Sequence, residues 1–164
     1  MKALSSIQNP EIKKLRLLFQ KTKERKKHSL FVIEGEREIE KALKGGYLLE
    51  SVFIHKAAEH SFELIISQSK VSNVFLLASS IFERLSIRSG SEKIIAIAQS
   101  KTHKLEDLIL NESSIILVIE APEKPGNIGA IFRTAAAAKM DAVIVANPKT
   151  DFYNPNSIRS SLGS

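Results

Sequence analysis

The sequence predicts an α/β fold in two units. Three observations predict it: strand-like aliphatic runs alternate with helix-period segments, a polar stretch from Ser100 to Ser113 breaks that alternation, and a fresh strand, proline loop and helix open after it.

Each element has a local signal. Asn9-Pro10 is an N-cap followed by a ring-fixed first helical residue, and Ile12, Leu15, Leu18 and Phe19 recur at spacings of three and four, so an amphipathic helix is predicted from about Pro10 to Lys21. The KTKERKK stretch, Lys21 to Lys27, is read as a loop that continues the basic face of that helix. Strand-like runs then follow at Leu30–Ile33, Leu48–Ile54, Asn73–Leu77 and Lys93–Gln99. Helical segments lie between them at Glu36–Lys44, Ala58–Ser69 and Ser80–Ser86. Ser80-x-x-Glu83 has the form of a capping box. The alternation predicts a mainly parallel sheet. The expected boundaries are a first domain at 1–100, a linker at 101–113 carrying a short helical insert (Leu105 to Leu110), and a second domain at 114–164.

Composition narrows the function classes. With 43% hydrophobic, 26% charged and 6% aromatic residues, the chain is globular rather than disordered or fibrous. No apolar run is longer than five residues, the length of Ile115 to Ile119, far short of the ~18 needed to cross a bilayer, and the cytoplasm is the default compartment. The absence of cysteine removes disulfides, thiolate nucleophiles and most structural zinc sites, and His28, His55, His60 and His103 lack metal-type spacing, so no metal is expected.

The net charge of +6 is concentrated at one end. Residues 1–30 carry Lys2, Lys13, Lys14, Arg16, Lys21, Lys23, Arg25, Lys26 and Lys27 against only Glu11 and Glu24. Such a block suits a surface that tracks phosphates. A membrane surface and a merely solvated helix face are the competing readings. Phe31, Phe53 and Phe75 fall in strand-like runs, where core packing is favoured over base stacking.

The second unit opens with the aliphatic strand Ile115–Glu120, of the kind buried on both faces of a parallel sheet. A proline loop, a helix from about Asn127 to Lys139, strand Ala142–Ala146 and a helix starting near Pro155 follow. Gly126 permits a tight turn, and Asn127 is a favoured N-cap or a ligand contact. Gly129 and Arg133 share a helix face, so the guanidinium is expected to lean across the glycine toward the loop. Glycine inside a helix costs roughly 1 kcal/mol relative to alanine and asks for a reason. On spacing alone the alternative stands: the glycines only shape the turn and the packing, and Arg133 is a surface residue. Glu120, at the strand end, either organises the loop or simply ends the strand.

The stretch EAPEKPGNIGAIFRTAAAA, Glu120 to Ala138, resembles the first motif, Asn-x-Gly-x-x-x-Arg, of the SpoU (TrmH) branch of the SPOUT RNA methyltransferases. Asp141-Ala142-Val143-Ile144 and the serine-rich Asn156-x-x-Arg159-x-Ser161-x-Gly163 fit the same family, as do FVIEGEREIEKAL (Phe31 to Leu43) and the opening SSIQNPEIKKLRLLFQKTKERK. Ser91-Glu92-Lys93 stands where the family often has Pro-Gln-Gly, and Ala136 where an acidic residue is common.

The resemblance implies a ribosomal-protein-like α/β substrate-binding domain followed by the first part of a SPOUT (α/β knot) methyltransferase domain. The implied reaction moves a methyl group from S-adenosylmethionine to a ribose 2′-hydroxyl of tRNA or rRNA. Arg133 and Asn127 are the implied catalytic pair, with Glu120, Gly129 and Ser161 in support. RNA is met by Lys13, Lys14, Arg16, Lys21, Lys23, Arg25, Lys26 and Lys27. A homodimer is implied for the whole protein, and no membrane partner. Because free arginine titrates above about 12, orienting the ribose-phosphate and stabilising a developing alkoxide are favoured over general-base chemistry. The family's later motifs would fall beyond Ser164, so this chain is expected to lack most of the cofactor pocket and to be inactive alone. The alternative function is a non-catalytic RNA-binding module. A dinucleotide-binding enzyme is disfavoured because neither Gly-x-Gly-x-x-Gly nor Gly-Lys-Ser/Thr occurs.

Overall fold

In the computed structural model, which describes residues 1–87 and 91–164, the chain divides into two units, Met1–Ser100 and Lys101–Ser164. Unit 1 contains β1 (Lys2–Leu4), α1 (Pro10–Gln20), α2 (Thr22–His28), β2 (Leu30–Glu34), α3 (Glu36–Lys44), β3 (Leu49–His55), α4 (Glu63–Ser69), β4 (Asn73–Leu77), α5 (Ser79–Leu85) and β5 (Ile94–Gln99). Its five-stranded sheet has the order β1-β4-β3-β5-β2. β1 and β3 run parallel to β4, whereas β5 is antiparallel to both β2 and β3.

The sheet is therefore mixed rather than mainly parallel. The expectation failed because alternation of strands and helices does not reveal the direction in which β5 returns between β2 and β3. The edge strand β1 was not anticipated at all, its three residues being too short to show a period.

Strand pleating sorts the core onto two faces. Val32, Phe53, Phe75, Ile95 and Ile97 meet Ile12, Leu15 and Leu18 of α1 and Ile81, Phe82 and Leu85 of α5. The intervening side chains Ile33, Val52, Ile54, Ile94 and Ala96 are also buried, and α3 packs on β2 and β5 with α4 beside it. Phe31, Phe53 and Phe75 are core residues, the last two stacked with ring centroids 5.2 Å apart.

α1 begins as Asn9-Pro10 predicts, with the Asn9 side chain accepting from the Glu11 amide at 2.9 Å. The segment after it corrects the expectation of a loop. Thr22–His28 is helical, and Arg25 is 3% exposed. Its guanidinium donates to the carbonyls of Leu18 (2.6 Å) and Phe19 (3.2 Å) and to Thr22 Oγ1 (2.8 Å). These carbonyls belong to the last turn of α1, where the helix cannot supply partners. Arg25 is thus removed from the RNA-binding set. It is the bracket that folds α2 back on α1.

The Glu34-Gly35 turn is structural as well. The buried Glu34 carboxylate accepts from Ser86 Oγ and, at 3.0 Å, from the amide of Ile87, tying the end of β2 to the segment after α5. Gly35 has φ 111°, and a Cβ there would overlap the Glu38 carboxylate. Two further expectations change. Ser80 caps nothing, since α5 starts at Ser79 with Ala78 before it, and the helix expected from Ala58 is a 3-10 turn at Lys56–Ala58 followed by α4.

His55 is buried, 4% exposed. Its Nδ1 accepts from the Ala57 amide at 3.1 Å, and its ring meets Phe82 edge-on. Desolvation, reinforced by Lys93 and opposed by Glu83, lowers its pKa below the ordinary 6.5.

Two predictions follow from this packing. Arg25→Ala should destabilise unit 1 by about 2–4 kcal/mol, because buried acceptors lose charged partners. Urea unfolding with an unchanged m-value would measure it, and a loss under ~0.5 kcal/mol would remove the bracket role. For His55 the unfolded chain takes up the proton first, so its contribution is intact above a pH of about 6.5 and is lost as pH falls through the lower folded value. Wild type should lose more stability than His55→Asn between pH values of about 7.5 and 5.5, and equal losses would contradict the burial argument.

Candidate active site

Unit 2 holds a parallel pair, β6 (Ile116–Glu120) and β7 (Ala142–Ala146), with α6 (Pro125–Ala137) and α7 (Pro155–Ser161). Lys101–Ser113 carries only a 3-10 turn at Leu105–Asp107. β6 is not buried on both faces. Ile116, Val118 and Glu120 are exposed, Val118 by 62%, while Leu117 and Ile119 are partly covered. An aliphatic run predicts a strand but not how many neighbours cover it.

α6 starts two residues earlier than expected, with Lys124 as N-cap and Pro125 at the first helical position. Asn127 therefore lies inside the first turn, its side chain exposed. Gly126 has no positive φ, and a Cβ would meet nothing within 4 Å, so neither turn nor close approach requires it. Gly129 is different. A Cβ there would overlap Ser160 Oγ and the Ser157 carbonyl oxygen and lie 2.7 Å from the Ser161 amide. The space that Arg133 was expected to cross is filled by α7.

Arg133 goes to α7 instead. Its Nη1 donates to the Ser160 carbonyl at 3.3 Å, an acceptor in the last turn of a seven-residue helix. Among the described residues no hydrogen bond joins Arg133 to Asn127. At the strand ends, Asn147 Nδ2 donates to Glu120 Oε1 at 2.9 Å, and Lys149 pairs with Glu123 at 3.2 Å. Ser161 is buried, its hydroxyl donating to the Ile158 carbonyl at 2.8 Å and accepting from the Gly163 amide at 3.2 Å. Asn154 caps α7 by accepting from the Asn156 amide at 2.9 Å.

Residues 9–96, more than half of the chain, match the MRM3-like substrate binding domain, and residues 114–164 match the SpoU rRNA Methylase family. The chain belongs to the SpoU family. It is similar to the 23S rRNA (guanosine(2553)-2′-O)-methyltransferase RlmP of Bacillus subtilis, at 29% identity over 100% of this chain and 62% of that protein. It is also similar to a crystal structure of an RNA 2′-O ribose methyltransferase, with a TM-score of 0.80 and 35% identity over 98% of this chain and 61% of that one. An AdoMet-bound rRNA methyltransferase from Sinorhizobium meliloti shares the fold, with a TM-score of 0.84 and 23% identity over 99% and 60% of the two chains. The chain thus spans about three fifths of the length of each of these three relatives.

For this SpoU chain the structure separates the basic residues read from the sequence. Lys13, Arg16, Lys21, Lys23, Lys26 and Lys27 are exposed, Lys14 is held by the Glu50 carboxylate, and Arg25 is buried. Sequence reasoning missed Ser157 and Ser160, whose backbone oxygens meet Gly129 and Arg133. A signal was present. Ser157, Ser160 and Ser161 recur at helix spacing and form a small-residue face that a glycine on a facing helix can approach.

Gly129→Ala gives a direct test. Alanine gains about 1 kcal/mol of helix propensity, but overpacking costs typically 1–3, and the backbone atoms in its way cannot rotate aside. Unit 2 should lose stability, with faster hydrogen exchange in α7 and unchanged exchange in unit 1. A stabilised variant would mean that α7 yields freely.

Proposed function

We propose that the whole protein methylates ribosomal RNA at a ribose 2′-hydroxyl, with S-adenosylmethionine as donor. Residues 1–100 hold the RNA, 101–113 connect, and 114–164 begin the methyltransferase domain. The observation that carries this reading is Arg133, which ends the Asn127-x-Gly129-x-x-x-Arg133 motif and is oriented by a backbone carbonyl rather than neutralised by a carboxylate. A carbonyl uses one of its five N–H donors and leaves the others, with the full charge, for a ribose-phosphate or a developing 2′-alkoxide. Asn127, exposed in the first turn of α6, supplies a second polar contact to the same RNA strand. Glu120 and Ser161 act through others, Glu120 by holding Asn147 and Ser161 by fixing the end of α7.

The described residues of unit 2 do not fit S-adenosylmethionine by themselves. Glu120 and Glu123 are engaged by Asn147 and Lys149, and the one orphaned buried polar atom there, Ser157 Oγ, belongs to a helix packed against Gly129. The role argued for this chain is therefore confined to the RNA. Support for an RNA partner comes from the exposed Lys13, Arg16, Lys21, Lys23, Lys26 and Lys27 and from the rRNA methyltransferases that the chain resembles. A homodimer, drawn from the family resemblance, and a cytoplasmic location complete the reading.

In the whole protein, Arg133→Ala should cut transfer of labelled methyl from S-adenosylmethionine to RNA by about 100-fold or more, as loss of a charge-stabilising donor does, while RNA affinity stays within about twofold. Undiminished transfer by the variant would refute the role given to Arg133.

A further inference from the structure

Between α1 and α5 of unit 1 lies a pocket of about 360 Å³ lined by Ile7, Arg16, Phe19, Gln20, Arg84 and Leu85. Its size sits at the small end of ligand pockets, roughly 300–1,000 Å³, with room for one nucleotide-sized group and none for a duplex. Two guanidiniums line it. Neither Arg16 nor Arg84 has an ion pair or hydrogen bond with another described residue, in contrast to Arg25, whose donors meet backbone and hydroxyl acceptors. Two cations on one pocket, with no carboxylate among the described residues that line it, repel each other until an anion arrives.

The remaining wall is apolar with one amide. Phe19 is half-buried against the core and turns part of its ring to the pocket, and Leu85 and Ile7 extend that surface. Gln20 adds a group that both donates and accepts. An aromatic platform, an amide and two guanidiniums are the parts that recognise a single unstacked nucleotide. We propose that this pocket receives one unpaired nucleotide of the RNA, its base on Phe19 and Leu85 and its phosphates on Arg16 and Arg84. The neighbouring lysines favour RNA over a free nucleotide. Lys13 lies on α1, and Lys21, Lys23, Lys26 and Lys27 on or just before α2, all exposed and able to follow the strand beyond the pocket. The inference rests on the RNA reading above, adding a defined subsite and two residues, Phe19 and Arg84, that neither basic charge density nor the methyltransferase motif singles out.

The test is binding of a fluorescein-labelled oligouridylate to the 164-residue chain, followed by anisotropy over a range of salt. Arg16→Gln and Arg84→Gln should each weaken binding about tenfold and lower the slope of log affinity against log salt by ~0.7. Phe19→Leu keeps an apolar side chain against the core. It should weaken binding at least about fivefold with no change in slope, provided its melting temperature matches wild type. Lys44→Gln, an exposed charge away from the pocket, should change affinity by less than about twofold. Equal losses from Lys44→Gln and Arg16→Gln would overturn the subsite, as would normal binding by Phe19→Leu. Indifference to all three pocket variants, with loss on replacing Lys23, Lys26 and Lys27 by Gln, would refute the pocket and keep the RNA reading. Uridine monophosphate competing as tightly as the oligomer would assign the pocket to free nucleotides instead. No binding of RNA by wild type would refute both readings.

Discussion

The close approach of α6 and α7 at Gly129 is the contact on which unit 2 depends. α7 has seven residues, too few to persist as a helix in water on propensity alone, so its order must come from packing and capping. Asn154 and Pro155 start it, and Pro155, Ser157 and Ser161 are buried. That burial is possible only because position 129 presents no side chain. The consequence reaches Arg133, one turn further along α6, whose acceptor is a carbonyl of the helix that Gly129 admits. A single missing side chain therefore sets, in order, a helix contact, a helix and the aim of a guanidinium.

Unit 1 resolves a different problem, that of a basic segment required both to fold and to stay charged. Burying a cation is tolerated only with its hydrogen bonds made, and Arg25 makes them to the unpaired carbonyls at the end of α1. Lys14 is engaged by Glu50 at the surface, where an ion pair contributes at most about 1 kcal/mol. The remaining exposed cations on α1 and α2 carry no such obligation. Folding of the segment into two helices rather than a helix and a loop also fixes where those cations stand, which an extended basic tail would not do.

The sequence made the helix starts at Asn9-Pro10 and near Pro155, the span of α3, and the strand at Ala142–Ala146 legible, because caps, prolines and strict periods are local signals. It did not reveal the antiparallel return of β5, since strand direction depends on which neighbours a strand meets. Arg25 looked like its neighbours in a basic run, and only the geometry of the α1–α2 turn distinguishes it. At the candidate site, the asparagine, glycine and arginine could be picked out by spacing and family likeness. The direction in which Arg133 points could not, because it depends on the serine helix, which lies some thirty residues away in sequence and beside it in space.

The two arginines show how one side chain serves opposite ends. Arg25 and Arg133 both bond to carbonyls in the last turn of a short helix, where unpaired acceptors collect and the helix dipole favours a cation. Arg25 is buried, with two acceptors on one terminal nitrogen and one on the other, so its fork is spent on the fold. Arg133 is exposed and gives up one bond, so the same anchoring fixes its direction while its charge remains available. A carboxylate partner would have held Arg133 equally well in space, but it would have cancelled the field that a phosphate or alkoxide must feel. For a cation that must meet an anionic ligand, a backbone carbonyl is the better anchor, and the α6–α7 contact supplies one.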